Sequence, residues 1–222
     1  MTLFNKILTK KLESDKSYSK ELREAVKCSQ STISKYKNEP NSEIDSFQGM
    51  LDIVRYIDED KEYEIMADYA LHANPNKQTA RYLLEYFSCN RMLDELNSLL
   101  TKMENESTNK QSVEYAKVYR LQYKRQTQSI SSDDTLNELN KMKITDQALQ
   151  VFADLIKCYC YYEKEYHLQA LELAHLIEEE VSKIKERYLQ NTLMAKFHEI
   201  SSYISLWIHN DLLRLKNMLT MF

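Results

Sequence analysis

The chain is nearly free of glycine and proline: its 222 residues include one glycine, Gly49, and two prolines, Pro40 and Pro75. Sheets, tight hairpins and phosphate-cradling loops need backbone positions with positive φ, which glycine normally fills. P-loops, dinucleotide-binding turns and nucleophile elbows likewise require glycines at fixed positions, so this sequence cannot build them. The scarcity predicts an all-α protein and argues against the enzyme classes that use those motifs.

Several other signals are missing. No apolar run approaches the roughly 18 residues of a membrane helix, and the first residues lack the apolar core and cleavage site of a signal peptide. The four cysteines, Cys28, Cys89, Cys158 and Cys160, show no CxxC spacing, so we expect free thiols in the core. The histidines form no HExxH motif, and no nucleophile–base pair stands out. We therefore expect a cytoplasmic protein that is not an enzyme, with no membrane contact, metal, cofactor or catalytic residue.

The charge of the chain is unevenly distributed. Residues 1–40 carry nine Lys or Arg against five Asp or Glu, although the whole chain has a net charge of −4. Residues 41–222 consequently carry 21 basic against 29 acidic residues. This asymmetry predicts a basic module at residues 1–40 and an acidic body at residues 41–222. The boundary is placed near Pro40, where the segment NEPNSEID can stop one helix and cap the next.

Beyond the boundary, amphipathic helical patterns follow one another with short polar joints between them. Helix pairs recur at roughly the 34-residue period of tetratricopeptide-like arrays. The segment YYEKEYHLQALELA places Ala170 and Ala174 where two helices would cross closely. A right-handed tetratricopeptide-like array is favoured over an irregular helical bundle, which remains the alternative. Two separate helices are predicted at residues 187–207 and 210–221.

The segment SKELREAVKCSQSTISKYKN contains two short helical patterns joined by a few residues. Leu22, Ala25 and Val26 share one face of the first helix, and Ile33 and Tyr36 lie three residues apart on the second. This is the apolar skeleton of a helix-turn-helix, whose second helix enters the major groove of DNA. A plain helical hairpin with a solvated charged face is the alternative.

Candidate DNA contacts follow from the chemistry of that second helix. Hydroxyl and amide side chains hydrogen-bond base edges and phosphates, and lysines contact the phosphate backbone. Ser29 or Ser31 can cap the helix, and Lys27 or Cys28 stands where a turn glycine is usual. The predicted DNA-binding residues are Gln30, Ser31, Thr32, Ser34, Lys35, Lys37 and Asn38.

A second basic run extends from Lys110 to Arg125 and includes tyrosines at positions 115, 119 and 123. Such a run resembles a stripe that binds nucleic acid. Tyrosines at i+4 spacing more often pack between helices, with the lysines solvating the opposite face. We favour the packing interpretation.

Three strings of the sequence are similar to the AimR arbitrium receptors of SPbeta-like Bacillus temperate phages. They are KEYEIMADYALHANPNKQTARYLLEYFSCN, SVEYAKVYRLQYKRQ and ERYLQNTLMAKFHEIS. The resemblance implies a transcriptional regulator of the lysis–lysogeny decision, with an N-terminal helix-turn-helix and a tetratricopeptide-like superhelix. It also implies dimeric binding to two half-sites on double-stranded DNA, and a short secreted phage peptide that binds inside the superhelix.

The resemblance further implies a short or C-terminally truncated member, because receptors of the family continue well beyond the position of Phe222. A degenerate prophage copy, a deliberately shortened chain and a natural short relative all fit. The family's peptide-contacting asparagines align near Tyr203 and Trp207, which are the candidates for a peptide-binding region. An incomplete array should leave an apolar face uncovered, so we expect a homodimer or a protein partner there. The residues of this face are Trp207, Leu212, Leu215, Met218 and Phe222.

The leading hypothesis is therefore a DNA-binding regulator whose helical body senses a short peptide or a protein partner. The alternative is a helical-repeat interaction module that does not bind DNA.

Overall fold

The computed structural model describes the backbone of residues 2–15, 17–38 and 47–219, and the side chains of residues 2–15, 17–37 and 47–209. These residues form helices and no β-strand, which confirms the predicted all-α class. They group into two compact units, Met1–Ala116 and Lys117–Phe222. The predicted boundary at Pro40 lies outside the described residues, and the division into a 1–40 module and a 41–222 body stays a prediction.

Twelve α-helices and one short 3-10 helix make up the described part of the chain. The first unit holds α1 (Leu3–Ser14), α2 (Tyr18–Val26), α3 (Gln30–Asn38), α4 (Phe47–Asp58), the 3-10 helix (Glu59–Lys61), α5 (Glu62–His72), α6 (Gln78–Cys89) and α7 (Leu93–Glu106). The division between the units falls within α8 (Lys110–Gln126). The second unit continues with α9 (Ser132–Lys141), α10 (Gln147–Glu163), α11 (His167–Ser182) and α12 (Arg187–Leu219).

The predicted break between two C-terminal helices is wrong, because α12 runs without interruption from Arg187 to Leu219. Asn210 and Asp211 belong to residue types that often cap helices, but no glycine or proline in this segment interrupts the helix. Although α12 is long, neither it nor any other helix in the described ranges is apolar enough to cross a membrane. Of the predicted apolar face, the side chains of Leu212, Leu215 and Met218 and the whole of Phe222 lie outside the described residues.

Helices that are close in sequence pack against one another. In the second unit α10 contacts α9, α11 and α12, and α11 contacts α12. Ala170 and Ala174 are buried on α11, and the Sγ atom of Cys158 on α10 donates a hydrogen bond to the Ala170 carbonyl at 3.2 Å. The small side chains thus permit the predicted close crossing. The helices α4, α6, α8 and α10 begin at residues 47, 78, 110 and 147, at irregular spacings of 31 to 37 residues, and the tetratricopeptide-like layout stays a prediction.

The NPNK string forms a joint that connects two loops of the first unit. The side-chain oxygen of Asn76 accepts hydrogen bonds from the backbone N–H groups of Thr108 at 2.7 Å and Asn109 at 2.9 Å. The hydroxyl of Ser107 donates to the same oxygen at 3.1 Å. The side chain of Asn76 therefore satisfies two backbone N–H groups in the connection between α7 and α8. This contact gives the string a structural role.

The four cysteines are free thiols. Cys158 and Cys160 lie in the core as expected, and burial raises the pKa of Cys158 to about 12 and that of Cys160 to about 11. The expectation of a core position is wrong for Cys89, which is exposed at the last residue of α6, and Cys28 is only half-buried.

A carboxylate joins three helices of the first unit. Glu62 on α5 accepts hydrogen bonds from the Nε atom of Arg55 on α4, at 2.6 Å, and from the hydroxyl of Tyr86 on α6, at 2.7 Å. Burial alone would raise the pKa of Glu62, but the hydrogen bonds from Arg55 and Tyr86 outweigh it and hold the pKa below 4.5. The folded state therefore stabilises the ionised form of the Glu62 carboxyl group.

The Glu62→Gln variant should make stability less dependent on pH. A lowered folded-state pKa means that this carboxylate stabilises the fold above its unfolded pKa, and that the contribution is lost as the pH falls through the folded-state value. The substitution should lower the free energy of unfolding at neutral pH by about 2 kcal/mol, the scale of hydrogen bonds to a charged group. Urea denaturation measured from neutral pH down to acidic pH should show the two proteins converging below pH 4.5.

Glu64→Gln is the matched control, because Glu64 lies exposed on the same helix. It should change stability little at any pH. A difference between the parent chain and Glu62→Gln that stays constant down to acidic pH would contradict the assignment.

Candidate nucleic-acid interface

Three residues, 27–29, join α2 to α3. Lys27 has φ 51° and ψ 38°, the left-handed conformation that a helix C-terminus commonly adopts and in which glycine is usual. Lys27 therefore occupies the position at which the sequence lacks a turn glycine. The half-buried Cys28 follows it, and the turn contains one non-glycine residue with positive φ.

Ser29 caps the N-terminus of α3, as predicted. Its Oγ atom accepts a hydrogen bond from the backbone N–H of Thr32 at 3.1 Å, and its carbonyl accepts one from Ile33 at 3.3 Å. The hydroxyl oxygens of Ser31 and Thr32 lie 2.7 Å and 2.9 Å from the same Oγ atom. Three hydroxyl groups are thus gathered at the positive end of the helix, where an anion is favoured.

The inward face of α3 is apolar. Ile33 is 1% exposed and Tyr36 is 3% exposed, and Leu22 on α2 is fully buried. The prediction for Ala25 is wrong, since this residue is exposed while Val26 is half-buried. At about 100° per residue, Ala25 and Val26 lie on opposite sides of Leu22, and the core covers the Val26 side.

The helix α1, which sequence analysis did not identify, packs against α3. The side-chain amide of Asn5 donates a hydrogen bond to the carbonyl of Tyr36, and the Phe4 ring meets the Tyr36 ring edge-on with centroids 5.8 Å apart. The Nζ atom of Lys37 lies 3.6 Å from a carboxylate oxygen of Glu13. The C-terminal half of α3 is therefore in contact with α1.

The position of α1 is set by its own N-terminus. The backbone N–H of Leu3 donates a hydrogen bond to the Asp68 carboxylate on α5 at 2.6 Å, and Thr2 caps the helix by accepting one from Asn5 at 3.3 Å. A threonine cap followed by apolar residues at positions 4 and 8 is a helix signal that the sequence does contain. Asp68 thereby links α5 to the helix that contacts α3.

The residues predicted to contact DNA lie along α3 and differ in their exposure. The side-chain oxygen of Gln30 accepts a hydrogen bond from the hydroxyl of Ser19 on α2 at 3.0 Å, so Gln30 is held near the turn. Asn38 ends α3, and its side chain lies outside the described residues. Gln30 and Ser31 are exposed, and Thr32, Ser34, Lys35 and Lys37 are partly exposed.

The second basic run forms α8, and two of its three tyrosines are buried as the favoured interpretation predicts, whereas Tyr123 is half-buried. Tyr115 and Tyr119 are buried, and the Tyr119 ring stacks on Phe152 with centroids 4.3 Å apart. Lys117 and Lys124 are exposed on the other side of the helix. Within the described ranges, no group of three or more His, Cys, Asp or Glu side chains is arranged to hold a metal ion.

The two candidates for a peptide-binding region, Tyr203 and Trp207, belong to one aromatic cluster in the second unit. The Trp207 ring stacks on His167 with centroids 3.9 Å apart, and the Tyr203 ring stacks on Tyr162 at 5.9 Å. Tyr162 and His167 meet edge-on at 5.4 Å, which closes the cluster. Tyr203 is 39% exposed and Trp207 is half-buried, so the cluster is open to solvent on one side.

The sequence profile of the AimR transcriptional regulator-like family matches residues 62–218, more than two thirds of the chain. The chain belongs to this family. The AimR transcriptional regulator of Bacillus phage phi3T is 32% identical over 127 residues, covering 57% of this chain and 33% of the relative. The AimR transcriptional regulator of Bacillus phage SPbeta is 28% identical over 172 residues, covering 77% and 44%. The chain thus matches less than half the length of these curated AimR relatives.

The fold of this chain is similar to that of solved phAimR structures. A structure of phAimR superposes with a TM-score of 0.81 at 23% identity, over 95% of this chain and 54% of phAimR. A second structure, described as phAimR with ligand, gives a TM-score of 0.70 at 27% identity, over 76% of this chain and 50% of the other. The resemblance seen in the sequence is therefore confirmed. The profile match begins at Glu62, the first residue of α5, so the α1–α4 segment precedes it.

Proposed function

We propose that the chain is a DNA-binding transcriptional regulator of the arbitrium type, which inserts α3 into the major groove of a promoter in the host cytoplasm. In this proposal the helical body senses a short communication peptide or a protein partner. The observation that carries the proposal is the two-sided character of α3: Ile33 and Tyr36 are buried, whereas the first turn presents hydroxyl and amide groups to solvent. Membership of a family of transcriptional regulators supports it.

The first turn of α3 suits contact with a duplex. Gln30 offers an amide for base edges, and the hydroxyls of Ser31 and Thr32 can hydrogen-bond bases or phosphates. The helix N-terminus adds a positive partial charge beside them. Readout by the N-terminal residues of a second helix is the geometry by which helix-turn-helix proteins dock.

The surrounding charge favours a polyanion as well. Lys35 is partly exposed on the same helix as these hydroxyls. On α1, which contacts α3, the side chains of Lys6, Lys10 and Lys11 are exposed. Clustered cations raise the local concentration of a phosphate backbone and speed its association. Lysines near α3 therefore supply affinity, and the hydroxyl and amide groups supply preference for sequence.

Lys35→Gln should reduce the salt dependence of binding to a duplex of arbitrary sequence. One lost phosphate contact lowers the slope of log K against log salt concentration by about one unit. Fluorescence anisotropy with the full chain over a series of salt concentrations measures this slope. The matched control is Lys61→Gln, which removes an exposed lysine that pairs with Asp58 at 3.6 Å, away from α3.

Equal slopes for the parent chain and both variants would contradict the role of Lys35. If no duplex binds even at low salt, the alternative is favoured: a helical-repeat interaction module without DNA binding.

Ser31→Ala should change which sequences are bound rather than how strongly DNA is bound in general. Ser31 is exposed in the first turn of α3, where a hydrogen bond from the hydroxyl to a base edge would make affinity depend on the base at that position. Selection from a random duplex library, followed by sequencing, compares the preferences of the parent chain and the variant. A uniform loss of affinity with an unchanged preference would assign Ser31 to the phosphate backbone instead.

We also propose that peptide sensing uses the aromatic cluster formed by Tyr162, His167, Tyr203 and Trp207. Partly exposed rings offer apolar area together with polar edges, which suits a short peptide. A ligand-bound structure of phAimR supports a receptor role for this family. All four residues of the cluster belong to the second unit.

Peptide binding should alter the fluorescence of Trp207, the single tryptophan of the chain. Titration with synthetic hexapeptides encoded beside the gene should give a saturable change in emission, and Tyr203→Ala should weaken it. Tyr166→Ala is the control, since Tyr166 is exposed and its ring contacts Lys164 rather than the cluster. Equal effects of the two substitutions would contradict the assignment.

A further inference from the structure

The helices α5 and α7 enclose a groove of about 840 Å³ in the first unit. This volume lies within the range of clefts that hold ligands, roughly 300–1,000 Å³. The groove has an apolar part formed by Ala67, Ala70, Leu71 and Leu99. Leu71 is 70% exposed, so its side chain is accessible to a docked segment.

The polar part of the groove is mostly acidic. Asp94, Glu95 and Glu106 on α7 and Asp68 on α5 line it, together with a single basic residue, Lys102. In the described ranges, no basic side chain forms an ion pair with Asp94, Glu95 or Glu106. These three carboxylates are thus available to a cation.

Lys102 does not form an ion pair with these carboxylates, because its ammonium group is hydrogen-bonded to backbone carbonyls instead. Its Nζ atom donates hydrogen bonds to the carbonyl oxygens of Leu71 at 2.9 Å and Ala73 at 2.8 Å. These carbonyls lie at the C-terminal end of α5, where a cation is favoured. The lysine therefore secures the end of α5, and the groove keeps an excess of negative charge.

We propose that this groove docks a segment of a partner protein that bears Lys or Arg residues on either side of apolar ones. Apolar side chains of the segment would cover Leu71 and Leu99, and its cations would pair with the carboxylates of the rim. Nucleic acid and acidic peptides are repelled by the same rim. No residue that lines this groove belongs to α3 or to the aromatic cluster, and the proposal does not depend on DNA binding.

The spacing of the carboxylates defines a probe. Asp94 and Glu106 are twelve residues apart on one helix, which corresponds to about 18 Å at 1.5 Å per residue. In an extended peptide that distance spans about five or six residues. An acetylated, amidated heptapeptide of sequence KALALAK therefore places its two lysines at about the required separation, and its two leucines point to the same side as the lysines because alternate side chains of an extended chain share a face.

Asp68 is unsuitable for substitution, although it lines the groove. Its carboxylate accepts the hydrogen bond from the N–H of Leu3 that anchors α1, so an effect on peptide binding could arise from a displaced α1. The test uses Asp94→Asn, Glu95→Gln and Glu106→Gln together. The matched control removes three carboxylates outside the groove by Glu59→Gln, Asp60→Asn and Glu64→Gln.

Isothermal titration calorimetry with the full chain should show saturable binding of KALALAK and none of the acidic counterpart EALALAE. The groove variant should bind KALALAK about ten-fold more weakly or worse, as expected when charge pairs are removed from an interface. The control variant should bind like the parent chain. Equal weakening by both variants would mean general attraction to an acidic surface, and would overturn the proposal.

A second variant tests the apolar part. Leu71→Ser removes an exposed side chain without disturbing the core, and it should also weaken KALALAK binding by about ten-fold. Asp94 and Glu95 lie in the first turn of α7 and stabilise its N-terminus, so circular dichroism checks the fold of every variant. If the groove variant is unfolded, peptide binding by the Leu71→Ser variant alone tests the proposal. Failure of KALALAK to bind, or equal binding of EALALAE, would also overturn the proposal.

Discussion

The burial of Ile33 and Tyr36 against the neighbouring helices is the constraint on which the account depends. Because these two side chains are turned inward, the opposite face of α3 is turned to solvent. Asn5 fixes the end of α3 through the carbonyl of Tyr36, and Asp68 fixes α1 through the N–H of Leu3. The orientation of the proposed DNA-reading face therefore depends on a chain of contacts that reaches α5.

Much of the fold could be predicted because it follows from local rules. One glycine among 222 residues excludes most alternatives to helices, and the spacing of apolar residues locates most of the helices. Ser29 caps α3 because a serine oxygen at that position can accept a backbone N–H. Ala170 lies at a helix crossing because only a small side chain fits there. None of these features needs knowledge of distant contacts.

The remaining features depend on tertiary contacts that a sequence pattern does not contain. Ala25 and Val26 both lie within one turn of Leu22, and only the position of the neighbouring helices decides which is covered. The continuity of α12 beyond residue 209 contradicts a cap signal, because a capping residue type alone does not end a helix. The groove between α5 and α7 brings together residues about 25 to 40 positions apart, and the sequence offers no periodicity that predicts it.

Amide hydrogen exchange of the full chain, with and without a duplex selected for binding, tests the central claim most directly. The account predicts slower exchange in residues 29–35, at the start of α3, and little change in α8. Unchanged exchange in α3, with protection confined to α8 and its exposed lysines, would contradict it. That result would show that the chain contacts DNA through a different surface and that the outward face of α3 has another role.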